Sequence, residues 1–109
     1  MQLSQKIIDT IKSTLVDALN PVRIVIFGSY ATGEADEDSD VDIFVVVGND
    51  QSASRETSVK ARRALRNAIK GAGLPFDLLL ETQKDFERAK SIKWSLESDV
   101  EQKGMVIYG

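Results

Sequence analysis

The chain has 109 residues, 42% of them apolar and 28% charged, the composition of one globular domain spanning residues 1–109 around a single core. It has no cysteine and no histidine, which excludes disulfides, thiolate zinc sites and Ser-His-Asp catalysis; any metal must be held by oxygens, as Mg²⁺ or Mn²⁺ is. With 17 acidic against 14 basic residues the balance speaks against nucleic acid as the main partner, and the absence of a long apolar run makes a cytoplasmic protein, without signal peptide or membrane span, the default expectation.

Residues 2–19 read as an amphipathic helix, with Leu3, Ile7, Ile11, Leu15 and Leu19 at four-residue spacing and Asn20-Pro21 as its stop. A strand over 22–27 follows, then a short helix from Ser29 to Gly33. Glu34, Asp36, Glu37 and Asp38 lie in an acidic loop and read as a solvated face. A second strand covers 41–47, and small polar residues make a loop over 50–54. The next helix runs from Glu56 to Lys70, with Val59, Leu65 and Ile69 inward, a basic stripe of Arg62, Arg63, Arg66 and Lys70, and Gly71 or Gly73 as its stop. A third strand covers 75–80, and Thr82-Gln83-Lys84-Asp85 resembles a capping box with Asp in place of Glu. Helices are expected over 83–90 and 91–103, the latter carrying Trp94 and Leu96. Trp94 reads as core first and as a partner anchor second. Met105 to Tyr108 would add a short edge strand.

The alternation of helices and strands suggests a parallel doubly wound sheet. The link between the first two strands, one short helix and an acidic loop, is tight for a full crossover and argues for a mixed sheet instead.

The chemistry concentrates in three places. Asp40 and Asp42 are two apart at the start of the second strand, so their side chains share a face and can share a hard cation. Five apolar residues, Ile43 to Val47, follow Asp42, so the strand is buried on both faces and a carboxylate against it calls for a reason. Mg²⁺ takes one or two carboxylates plus substrate phosphates. Gly28-Ser29 ends the first strand: Gly28 lets backbone approach a phosphate, and Ser29 can cap the helix or donate its hydroxyl. Alone, that pair is more often a plain turn. Asp77, set among apolar residues in Pro75-Phe76-Asp77-Leu78-Leu79-Leu80, would be a third carboxylate, either at the metal or paired with a basic residue of the preceding helix.

Gly28-Ser29-Tyr30-Ala31-Thr32-Gly33-Glu34-Ala35 followed by Ser39-Asp40-Val41-Asp42-Ile43 resembles the signature of the DNA polymerase β-type nucleotidyltransferases, and more narrowly of the minimal nucleotidyltransferase (MNT) proteins. Asp77 in Phe-Asp-Leu-Leu falls where that family has its third carboxylate, and Lys103-Gly104-Met105-Val106-Ile107-Tyr108 is similar to the family's C-terminal segment. The resemblance implies an α/β (α+β) fold, a small mixed sheet flanked by helices. It implies transfer of a nucleoside monophosphate, AMP from ATP, to a hydroxyl with Mg²⁺. Asp40, Asp42 and Asp77 would be the catalytic and metal residues, and Gly28 and Ser29 would hold the nucleotide. It further implies an antitoxin whose partner is a HEPN ribonuclease toxin, modified on a tyrosine, with a homo- or hetero-oligomer as its assembly. Many relatives carry Arg where this chain has Thr32, so another cation would have to meet the triphosphate, or nucleotide would be held less tightly. A contact-only antitoxin, a nucleotide sensor and a small-molecule (aminoglycoside-like) adenylyltransferase are the alternatives.

Overall fold

The computed structural model describes all residues, Met1–Gly109. Helix α1 (Gln5–Leu19) begins where the Ser4 hydroxyl accepts the Ile7 amide. It ends where Asn20 turns left-handed (φ 46°) ahead of Pro21. Strand β1 (Arg23–Phe27) follows, then α2 (Ser29–Thr32), a single turn closed by left-handed Gly33. Strand β2 (Val41–Val47) has the expected bounds. Helix α3 (Arg55–Ile69) is capped by Ser54 and passes into a 3₁₀ turn, Lys70–Ala72. Strand β3 (Phe76–Thr82), α4 (Gln83–Lys90), α5 (Leu96–Lys103) and β4 (Met105–Tyr108) complete the order.

The four strands form one mixed sheet in the order β3-β2-β1-β4. β1 runs antiparallel to both β2 and β4, and β2 runs parallel to β3. The connections dictate this. The segment from α2 to Ser39 only turns the chain back, whereas α3 is long enough to carry it across to a parallel neighbour. The mixed sheet expected from the tight first connection is thus the one formed.

Each face of the sheet has its own core. On one, α1 and α3 bury Ile11, Leu15, Ala61 and Leu65 against Ile24, Ile26, Ile43, Val45 and Leu78. On the other, Phe86 of α4 and Val100 of α5 pack on Val25, Phe44 and Val46, with the Phe44 and Phe86 rings 5.4 Å apart. β2 is therefore covered on both sides, as its apolar run requires. On the second face the strand register sets three rows: Arg23–Val46–Glu81, Val25–Phe44–Leu79, and Phe27–Asp42–Asp77. The helices seal the first two rows. The third stays open, with Asp42 half-buried and Asp77 exposed.

Two helix expectations are corrected. Val59 is exposed, not inward: it sits two residues before Ala61, on the opposite side of the stripe Ala61–Leu65–Ile69 that α3 buries. The last helix begins at Leu96 and not at residue 91, with Ser95 as its cap. Ser95 accepts the Ser98 amide and donates to the Ala89 carbonyl at 2.7 Å, which ends α4 and starts α5 at one residue. Trp94 just before it has φ 72° and is 89% exposed, so it is not a core residue.

Candidate active site

The open row of the second face is built by register. Asp42 of β2 stands opposite Phe27 of β1 on one side and opposite Asp77 of β3 on the other. Neighbouring strands lie about 4.8 Å apart, so the two carboxylates face the same solvent-filled end of the sheet at close quarters. Asp40 comes just before β2, exposed, and the Val41 amide between the two aspartates is pinned to the Pro75 carbonyl at 2.9 Å.

The electrostatics agree with this placement. The Asp42 carboxyl is held above its ordinary pKa, first by burial and then by the charges of Asp77 and Asp40. The three acids therefore share one field. No three carboxylates are drawn together tightly enough to ligate an ion unaided. Mg²⁺ does not need such a cage, because substrate phosphates and water complete its shell. An oxygen-only donor pair that resists joint ionisation fits a divalent cation of this type.

Gly28 closes the site from the β1 side. Its backbone has φ 72° and ψ −149°, open only to glycine, and a Cβ there would run into Asp42 Oδ2. The strand-end bend and the carboxylate are thus in contact, as the combined motif demands. The single-turn α2 carries little dipole, and what it offers an anion is the free amides of a first turn. Ser29 is not its cap: Gly28 holds that position, with no side-chain capping bond, so the Ser29 hydroxyl is left for another use. Thr32 donates its hydroxyl to the Glu34 carboxylate at 2.8 Å. Glu34, Asp36, Glu37 and Asp38 are exposed, as a solvated acidic loop should be.

Asp77 differs from expectation. Apolar neighbours in sequence suggested a buried acid, yet its side chain is 62% exposed because β3 is an edge strand and the covering helices stop one row short. Its Oδ1 accepts the Leu78 amide at 3.0 Å and lies 4.0 Å from Arg62 Nη2. The pairing weighed as the alternative to metal binding is therefore present in loose form, from the α3 basic stripe. Sequence patterning did not single out Arg62 within that stripe. Sequence patterning does not mark Glu81 either. Glu81, in the far row, lies against Glu97 of α5 and Asp85 of α4; burial first, then Glu97, push its pKa to about 7, and its Oε1 is buried without a partner.

The sequence model of the nucleotidyltransferase domain family matches residues 6–107. The chain belongs to that family and is a nucleotidyltransferase. Two Methanocaldococcus jannaschii proteins, MJ0141 and MJ0604, each named as a candidate protein adenylyltransferase, are similar at 30% identity. The first aligns over 89% of this chain and 87% of its own length, the second over 79% and 77%. Among solved structures, a toxin–antitoxin crystallised with AMP-PNP superposes with TM-score 0.67 at 20% identity, over 94% of this chain and 73% of that one. A mutant of the toxin–antitoxin MntA-HpeT gives 0.66 at 18%, with the same coverage. A candidate nucleotidyltransferase from Sulfolobus solfataricus gives 0.57 at 16%, over 93% and 78%. These structures agree with the mixed sheet and its helices.

Proposed function

We propose that the chain transfers AMP from Mg²⁺-bound ATP to a hydroxyl, a tyrosine of a partner protein, and that the partner is a HEPN-type toxin it neutralises. The observation that carries this reading is the register of Asp42 opposite Asp77 with Gly28 packed on Asp42. The adenylyltransferase names of the relatives and the toxin–antitoxin names of the structural neighbours support it.

In this reading Asp40 and Asp42 would hold the metal, and Asp77 would complete its site on the acceptor side. A divalent ion there would supply neutralisation of phosphate charge. Gly28 leaves room for the triphosphate, and the Ser29 hydroxyl and the first-turn amides of α2 donate to its oxygens. The acceptor oxygen attacks the α-phosphorus and the bond to the bridging oxygen breaks. Pyrophosphate leaves, and the hydroxyl proton passes to Asp77 or through it to water. The protein positions groups and balances charge and forms no covalent intermediate.

Calorimetric titration with ATP in Mg²⁺ tests the site. The native chain is expected to bind, Asp42→Asn to lose the metal-dependent part, and omission of Mg²⁺ to have the same effect. Binding that is indifferent to both changes would rule the reading out.

A further inference from the structure

We propose that Arg62 is a positioning residue for Asp77, clasping the free edge of the sheet at Leu78 so that the third carboxylate keeps one fixed orientation beside Asp42. This rests on the transferase reading of the site and adds to it a residue on the acceptor side.

Leu78 directly follows Asp77 on the edge strand β3. Both of its backbone polar groups are taken by side chains. Its N–H donates to Asp77 Oδ1 at 3.0 Å, and its carbonyl accepts from Arg62 Nη2 at 2.7 Å. Arg62 Nη2 is also 4.0 Å from Asp77 Oδ1, which closes a three-membered ring of contacts around one residue. At Leu78 the edge of β3, which would otherwise present unpaired backbone groups, is thereby occupied. The looseness of the ion pair matters as much as its presence. A tight, bidentate pair would remove Asp77 from the site, whereas at 4.0 Å the guanidinium biases the carboxylate without consuming its oxygens. One nitrogen, Nη2, serves both the carbonyl and the carboxylate, so the two contacts move together. Position also assigns the side. Gly28 meets Asp42 from β1, while Arg62 meets Asp77 from beyond β3, so Arg62 lies on the side of the carboxylates away from the glycine bend.

Arg62→Gln should lower kcat about tenfold while leaving KM for ATP within about twofold, because Asp77 and not the triphosphate is displaced. A rise in KM with unchanged kcat, or full activity in Arg62→Gln, would overturn the assignment. Amide exchange at Leu78 in the metal-free chain gives a reading independent of catalysis. It should speed up in Arg62→Gln and in Asp77→Ala, and the double variant should exchange no faster than Asp77→Ala alone. Additive acceleration would mean that Arg62 acts on the edge without acting through Asp77, and would overturn the proposal. If the native chain transfers no nucleotide, the transferase reading fails, and the exchange cycle still decides the role of Arg62.

Discussion

At Gly28 the backbone takes φ 72° and leaves no space for a Cβ beside Asp42 Oδ2. Gly28→Ala therefore meets two costs, a left-handed backbone and a carboxylate pushed out of place. Denaturant unfolding should show a loss of about 1–3 kcal/mol, and Mg²⁺–ATP binding should go with it. A variant as stable as the native chain would show that the bend is not tied to Asp42. Asp42 itself predicts the opposite sign. Its carboxyl titrates above its ordinary value, so ionisation is disfavoured in the folded chain and stability is lost as pH rises through its folded pKa. Asp42→Asn removes the repulsion from Asp77 and Asp40. The metal-free variant should be more stable at neutral pH by about 0.5–1 kcal/mol while losing nucleotide binding. Lower stability would mean that the acids do not oppose one another as described.

Among the elements, the junction of β3 with α4 and α5 carries a pH dependence of its own. Glu81 titrates at about 7 against an ordinary 4.5 because burial, Glu97 and Asp85 all oppose its charge. The folded chain keeps this proton at a pH where the unfolded chain has lost it. The stability so gained is complete below about 4.5 and is lost as pH rises through 7. Urea midpoints measured from pH 5 to 8 should fall for the native chain and fall less for Glu81→Gln, which donates at every pH. Parallel curves for the two would remove Glu81 as the cause. The same junction shows where local pattern ceases to inform. The bounds of β2, α4 and β4 were legible because a five-residue apolar run, a Thr82 cap and a Gly104 stop mark them. The break at 91–95 was not, because no glycine or proline announces it. Trp94 takes the left-handed turn there, held by the bonds Ser95 makes to both helices.

For the whole molecule, the strand order decides what sequence could and could not foretell. The convergence of Asp42 and Asp77 was legible, because two carboxylates near the starts of two apolar strands become neighbours once a helix carries the chain to a parallel partner. The exposure of Asp77 was not, because its apolar neighbours do not reveal that β3 is the edge or that α4 and α5 stop one row short. Nor was the choice of Arg62 from four stripe cations, which depends on how α3 crosses β3. No helix is long and apolar enough to cross a membrane, and three of the large apolar side chains left outside, Ile92, Trp94 and Leu96, lie on the link into α5 and its first residue. In the function proposed above, Asp40, Asp42 and Asp77, closed by Gly28, move AMP onto another protein. Incubation with ATP labelled at the α-phosphate, Mg²⁺ and the proposed HEPN-type partner measures it directly. Label on a tyrosine of the toxin, absent with Asp42→Asn, is the expected result; an unlabelled toxin in the presence of bound nucleotide would contradict it.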